Sequence, residues 1–218
     1  MALSSLKKRV LSALIAGPAT LAVIVLGNGP FLIFIGAGAA ICFYEFFQME
    51  KAGAHFARNM ALWSLYIFLC AYAFIQLRAV PDEGLFLVLA LMLTVWACDI
   101  GAYIAGKTIG GPKMAPTISP NKTYAGLIGG MVCSGLTLMG FDLAKDIFDV
   151  PAPVVFLTGV AFGAVGQAGD LMVSSLKRRV GVKDTGHLMP GHGGLLDRID
   201  SLLLVTPVFL MACQLWLI

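Results

Sequence analysis

Four aspartates stand inside or beside apolar stretches of this chain, where an ionised side chain is costly. Asp99 lies in "VWACDIGAY", Asp170 in "GQAGDLM", and Asp197 and Asp200 in "LLDRIDSLL". An ionised aspartate at the centre of a spanning helix costs roughly 2.5–3.5 kcal/mol, and intramembrane acids usually mark functional sites. The spacing of Asp197 and Asp200 puts both on one helix face. Carboxylates from separate segments suit Mg²⁺, which binds oxygen ligands and bridges phosphates.

Each of these acids also has a structural interpretation. Asp99 could be a carboxylate that reaches the membrane interface, and either Asp197 or Asp200 could complement the dipole at a helix N-terminus. Neither Asp99 nor Asp170 has a basic residue within one helical turn in the sequence. Water, a cation or a lysine from another segment must therefore stabilise them.

The segment "KTIGGPKMAPTISPNKTYAG", residues 107–126, has the composition of a phosphate-binding loop. Ser119 is either the N-cap of the following helix or a phosphate ligand. Lys122 and Thr123 are expected in the first turn of that helix. A lysine is unfavourable there by the helix dipole unless it meets an anion. The Walker A pattern is absent, so this is not a P-loop.

The segment "KRRVGVKDTGHLMPGHGGLLDRIDS", residues 177–201, is a polar insert between two apolar runs. Its basic residues could neutralise a polyphosphate, or could anchor the topology against acidic lipid headgroups. Gly193 and Gly194 allow a close approach of the backbone to a ligand. His192 is too far from other histidines or cysteines for a zinc motif and is expected to hydrogen-bond to phosphate.

The composition indicates an integral membrane protein. The chain is 59% hydrophobic and 12% charged, with a mean hydropathy of +0.88, and soluble domains carry about twice that charged fraction. The cysteines are scattered singly, which argues against disulfides and zinc. We predict one all-α membrane domain over 1–218, a polytopic helical bundle with N-terminal helices at about 9–77 and a catalytic region at about 85–218. No nucleic-acid partner is expected.

Seven apolar runs approach the roughly 20 residues that a spanning helix needs. They lie at about 9–27, 30–48, 59–77, 85–105, 123–141, 153–173 and 201–218. The first is expected to be a retained helix rather than a cleaved signal peptide. Thirteen of the 15 lysine and arginine residues fall in one set of alternate loops, and only Arg78 and Lys145 in the other. This bias predicts that the N-terminus and the polar site face the cytoplasm.

Taken together, these segments resemble those of a known family, the phosphatidate cytidylyltransferases (CDP-diacylglycerol synthases). Their signature S-x-[aliphatic]-K-R, K-D-x-G and H-G-G-[aliphatic]-x-D-R-[aliphatic]-D is matched across 174–200, and the likeness extends to "CDIGAYIAGKTIG", "ISPNKTYAG", "GQAGDL" and "YEFFQM". It covers most of residues 44–201. Ala125 and Val173 depart from it, since the family often has Glu or Gln at the first place and Glu at the second.

The resemblance implies the reaction CTP + phosphatidate → CDP-diacylglycerol + pyrophosphate at the cytoplasmic face of a bacterial inner membrane. It implies Mg²⁺ held by Asp170, Asp197 and Asp200, with Asp99 as a supporting carboxylate or the ligand of a second metal ion. The catalytic set is Asp170, Asp197, Lys122, Lys177 and Arg178. The substrate-binding set is Ser119, Thr123, Lys183, His192, Gly193, Gly194 and Arg198.

Other functions remain open from the sequence. An ether-lipid cytidylyltransferase or a polyprenol kinase would use the same nucleotide chemistry, and a transporter would also explain intramembrane acids. The small-residue faces of the helices make a homodimer plausible. Acyl or ether lipid preference, and CTP or dCTP preference, are not encoded in any motif of the chain.

Overall fold

The computed structural model describes residues 5–51, 53, 55–186, 188 and 193–216. Its elements, in chain order, are α1 (Ser5–Leu26), α2 (Asn28–Glu50), α3 (Phe56–Ala79), α4 (Gly84–Thr108), β1 (Lys113–Ala115), β2 (Ser119–Thr123), α5 (Tyr124–Lys145), α6 (Ala152–Arg179) and α7 (Leu196–Trp216). The predicted helical membrane bundle is confirmed.

The seven helices of the described ranges correspond to the seven apolar runs. Six of them, α2 to α7, are long and apolar enough to cross a membrane, and α1 contains a shorter apolar segment, Gly17–Leu26. Large apolar side chains such as Phe68, Ile104 and Leu157 are exposed on the outside of the bundle. A bilayer would cover such a surface, and the protein is a multi-pass membrane protein.

Helix α4 occupies the centre of the bundle. Half of the most apolar 18-residue stretch of α4 is buried, the largest share among the six helices that could span a membrane. The helix packs against α1, α3, α5, α6 and α7. Its leucine and valine side chains join the main apolar cluster, where Leu87, Leu91 and Phe209 are fully buried. This central helix carries Asp99, so the packing of α4 fixes where that carboxylate lies.

Small residues let α4, α5 and α6 approach one another closely. A Cβ added to Gly130 of α5 would lie 2.8 Å from the carbonyl oxygen of Cys98 in α4. One added to Gly159 of α6 would lie 2.7 Å from the Cα of Gly135 in α5. Close backbone contact of this kind is the usual means by which membrane helices pack, and it sets the distance between Asp99 and Asp170.

Gly135→Ala should therefore lower stability. Its added methyl would lie 2.8 Å from the Phe156 carbonyl oxygen, and such overpacking costs about 1–3 kcal/mol. Gly140 in the same helix is the matched control, because nothing lies within 4 Å of its added Cβ. Gly140→Ala should leave the thermal unfolding midpoint in detergent unchanged or slightly raised. Equal midpoints for the two variants would contradict the close α5–α6 contact.

The segment between α4 and α5 differs from the prediction. Ser119 and Lys122 lie in β2, which pairs antiparallel with β1, so the N-cap alternative for Ser119 and the predicted first-turn position of Lys122 are wrong. Thr123 is the N-cap of α5, and its hydroxyl accepts from the Gly126 N–H at 3.1 Å. The antiparallel pairing of β2 with β1 holds residues 119–123 in an extended conformation, so α5 begins only at Tyr124.

Candidate active site

One polar cavity of about 320 Å³ collects acids from three helices. Asp99 of α4 and Asp170 of α6 each lie nine residues before the last residue of their helix, about 13 Å along the helix axis. The first turn of α7 meets them there. The cavity is lined by Asp99, Asp170, Lys177, Asp184, Asp197, Arg198, Asp200 and Ser201. The structure thus brings together the four aspartates singled out from the sequence.

Lys122 reaches the cavity from β2 and compensates Asp170. Its ammonium lies 2.6 Å from Asp170 Oδ2 and donates to the side-chain oxygen of Gln167 at 2.7 Å. Ser174, one turn after Asp170, donates to Asp170 Oδ1 at 3.2 Å. The hairpin that displaced Lys122 from the predicted helix therefore directs this lysine into the bundle, where it supplies the positive charge that Asp170 lacks within one turn of its own helix.

Lys177 of α6 forms the second ion pair of the cavity, with Asp197 of α7. Lys177 Nζ lies 2.5 Å from Asp197 Oδ1, and the two side chains are 11% and 2% exposed. Asp197 Oδ2 accepts from the backbone N–H of Thr185 at 2.7 Å and of Gly194 at 3.1 Å. A buried pair is stable only when further hydrogen bonds complete its partners, and Asp197 meets that condition.

Asp99 and Asp200 are left without a basic partner within the ranges that the structure describes. Asp200 accepts one hydrogen bond, from the backbone N–H of Ser201 at 2.8 Å. Among the described residues, five carboxylates and two basic side chains line the cavity, and Lys122 adds a third positive charge beside it. A cation, water or a shared proton must balance this excess negative charge.

The donor set fits Mg²⁺. No three acidic, histidine or cysteine side chains in the described part of the chain are placed to enclose a metal ion by themselves. Mg²⁺ does not need such a cage, because it keeps several waters and is usually held by one or two carboxylates together with substrate phosphates. Asp99 and Asp200, which have uncompensated charge, could serve in that way beside Asp170.

Several predicted substrate ligands lie apart from the cavity wall or have other partners. Arg178 donates to the carbonyl oxygens of Ile118 at 3.2 Å and Val182 at 3.3 Å, which ties the β1–β2 hairpin to the end of α6. Lys183 is exposed, and Arg198 lines the cavity. His192 lies outside the described residues. The roles of these residues toward a substrate stay predictions.

The two glycines of the insert make room for protein side chains. Gly193 has φ +85°, and a Cβ there would lie 2.9 Å from Asp197 Oδ2. A Cβ on Gly194 would overlap the hydroxyl of Thr185. Both positions therefore require glycine because the chain folds closely around the Asp197 carboxylate.

Sequence reasoning missed Asp184 and Glu45 as site residues. Asp184 lines the cavity and was visible in the K-D-x-G part of the signature. Glu45 is only 4% exposed, and its carboxylate accepts from the backbone N–H groups of Leu195 and Leu196 at the start of α7. Its signal was the segment "YEFFQM", which was noted as a likeness but given no role.

Of the two departures from the signature, Val173 has a clear environment. It is fully buried in an apolar cluster with Cys42, Ile67, Cys70, Leu196 and Leu203. The side chain at this position therefore packs between α6 and the other helices. Ala125, in the first turn of α5, is half-buried.

Comparison with known proteins gives a consistent result. Residues 7–78 and 54–216 match the family model described as "Cytidylyltransferase family". The chain is 40% identical over 157 residues to a phosphatidate cytidylyltransferase of Bacillus subtilis, covering 70% of this chain and 57% of that protein. It is 42% identical over 135 residues to a protein of the same name from Staphylococcus saprophyticus, with coverages of 62% and 52%. The chain thus spans about half the length of these curated relatives.

Proposed function

The chain belongs to the cytidylyltransferase family, and from that membership we propose that it is a phosphatidate cytidylyltransferase. It would transfer the cytidylyl group of CTP to phosphatidate and release pyrophosphate. The observation that carries this proposal is the acidic cavity, in which two lysine–aspartate pairs stand beside two aspartates that form no ion pair with any described residue. The relatives that bear this enzyme name support the choice of substrates.

The reaction needs charge compensation more than proton transfer. An oxygen of the lipid phosphate, already ionised near neutral pH, would attack the α-phosphorus of CTP as the bond to the β-phosphate oxygen breaks. The obstacle is repulsion between an anionic lipid and a polyanionic nucleotide. Catalysis of phosphoryl and nucleotidyl transfer rests on positioning and on charge stabilisation, which the basic side chains of the cavity can provide.

Lys122 and Lys177 are suited to exchange partners when substrates bind. Each is held against an aspartate, Lys122 against Asp170 and Lys177 against Asp197. On entry of CTP, the two ammonium groups would turn toward phosphate oxygens. Arg198, which lines the same cavity, would add a third positive charge near the departing pyrophosphate.

Asp170, Asp197 and Asp200 would hold Mg²⁺, and Asp99 would support them or serve a second ion. When bound, Mg²⁺ would neutralise phosphate charge and keep the attacking and leaving oxygens in line. The carboxylates of Asp99 and Asp200 form no ion pair with any described residue. Asp170 and Asp197 would become available as their lysines turn to the phosphates.

We place the cavity on the cytoplasmic side of a bacterial inner membrane. The distribution of lysine and arginine over alternate loops supports this orientation, and the bacterial relatives support the membrane. CTP would then enter from the cytosol. Phosphatidate would reach the cavity sideways from the inner leaflet, because its two acyl chains stay in the bilayer.

The test is to present the purified protein with CTP, Mg²⁺, a panel of lipid phosphates and a free polyprenol in mixed micelles. We expect a CDP-lipid and pyrophosphate in equal amounts with phosphatidate. A CDP-lipid formed only with an ether-linked lipid phosphate would replace the proposed substrate. A phosphorylated polyprenol together with CDP would make the protein a kinase. No product with any lipid of the panel would contradict the proposal.

A further inference from the structure

Glu45 is a buried carboxylate of α2 that acts on a distant part of the chain. It is 4% exposed, and it forms no salt bridge with any residue that the structure describes. Its Oε1 accepts from the N–H of Leu195 at 2.8 Å, and its Oε2 from the N–H of Leu196 at 3.0 Å. These N–H groups open α7, so the carboxylate compensates the positive end of that helix.

The same carboxylate connects to Asp197 through one hydroxyl group. Thr185 is 4% exposed. Its hydroxyl oxygen lies 2.9 Å from Glu45 Oε2 and 3.1 Å from Asp197 Oδ2. A hydroxyl has a single proton and donates to one carboxylate at a time. Thr185 therefore stands between the two acids, and a shift of Glu45 would change the surroundings of Asp197 directly.

Two glycines leave the space that Glu45 needs. A Cβ on Gly186 would lie 2.7 Å from Glu45 Oε1, and one on Gly194 would overlap Oε2. The polar insert thus contacts the Glu45 carboxylate from two sides, at Gly186 and at Gly194. Contacts of this kind join sequence positions 140 to 151 residues apart and link the N-terminal helices to the cavity.

We propose that Glu45 is a positioning residue for the cavity, an inference that rests on the proposed function for its kinetic consequence. Its carboxylate fixes the start of α7 and the Thr185 hydroxyl, and so holds Asp197 against Lys177. Glu45 is buried and is not among the described residues that line the cavity, so it would touch neither nucleotide nor lipid. Without its charge the first turn of α7 would move, and a displacement of about 1 Å in a catalytic group can cost about 10²-fold in rate.

Glu50 provides a matched control in the same helix. It is 1% exposed, pairs with Arg179 and accepts from the Asn59 side-chain amide at 2.9 Å. None of these residues lines the polar cavity. Glu50→Gln removes a buried negative charge of the same kind as Glu45→Gln, so both variants should lose stability. Only Glu45→Gln should disturb the cavity.

The experiment compares Glu45→Gln, Glu50→Gln and the unaltered protein in detergent. Turnover per folded protein should fall about 10²-fold in Glu45→Gln, chiefly in kcat, and stay within about twofold in Glu50→Gln. Hydrogen–deuterium exchange should rise in peptides covering 193–201 for Glu45→Gln alone. This second readout does not depend on activity, so it decides the positioning role even if the protein forms no CDP-lipid.

Thr185 supplies the second pair of variants if Glu45→Gln folds poorly. Thr185→Val removes the hydroxyl at nearly constant shape, whereas Thr185→Ser keeps it. We expect lower kcat and faster exchange over 193–201 in the valine variant, and values near those of the unaltered protein for serine. Unchanged exchange in both Glu45→Gln and Thr185→Val, or equal turnover in Glu45→Gln and Glu50→Gln, would overturn the proposal.

Discussion

Replacing Asp197 by asparagine is expected to reduce CDP-lipid formation by about 10³-fold or more, the equivalent of about 4 kcal/mol. Asp197 is 2% exposed in its side chain and carries the charge that balances Lys177. Its Oδ2 also accepts from two backbone N–H groups and lies 3.1 Å from the Thr185 hydroxyl. Removing one partner of a buried ion pair costs about 3–5 kcal/mol, so stability should fall as well. Radiolabelled CTP and purified membranes provide the assay.

Two further variants separate the loss of folding from the loss of chemistry. Asp142 is a buried acid of α5 outside the cavity, and its Oδ1 accepts from the backbone N–H groups of Ile147 and Phe148. Asp142→Asn should lower stability but leave turnover per folded protein unchanged. Asp200 lines the cavity with one backbone hydrogen bond and no described ion pair, so Asp200→Asn should fold normally and lose at least about 10²-fold in turnover.

The role of the cavity fails if these variants behave alike. Turnover near that of the unaltered protein in both Asp197→Asn and Asp200→Asn would show that the acids are not part of the reaction. Equal loss of turnover per folded protein in Asp142→Asn would show that the assay reports folding instead. The contrast between Asp142 and Asp200 is informative because both are aspartates that accept backbone N–H groups.

The membrane bundle could be predicted from the sequence because the physical constraint on it is strong. A spanning segment must satisfy its backbone internally, so apolar runs of sufficient length become helices with ends close to those of the runs. The gathering of Asp99, Asp170 and Asp200 was foreseeable for a related reason. Acidic side chains within membrane-spanning helices are tolerated only where they share a polar environment.

The pairing of the charges could not be predicted. Whether Lys122 meets Asp170 or Asp99 depends on the rotation and spacing of α4, α5 and α6, which the glycines at their contacts determine. Lys122 lies in the β1–β2 hairpin instead of the predicted helix, and from there its side chain reaches Asp170. Local sequence carries little information about such contacts between elements.

Glu45 was missed because its partners are backbone N–H groups. A carboxylate in an apolar helix suggests a charged partner or a metal, whereas Glu45 bonds to the start of α7 and to Thr185. Those partners become visible only once the second half of α2 is placed against the start of α7. Long-range caps of this kind follow no spacing rule, although the unpaired N–H groups at every helix start guarantee that some acceptor is needed.

Chelation of divalent metal should abolish turnover, and added Mg²⁺ should restore it. The described lining of the cavity has more acidic than basic side chains, and a metal bound there would raise the thermal unfolding midpoint further as the free Mg²⁺ concentration rises above its Kd. We expect that rise in the unaltered protein and in Asp142→Asn, and a smaller one in Asp99→Asn and Asp200→Asn. Full turnover in EDTA would contradict a metal-assisted reaction. An equal Mg²⁺-dependent rise in all four proteins would place the ion away from Asp99 and Asp200, because neutralising a ligand must weaken the binding that produces the shift.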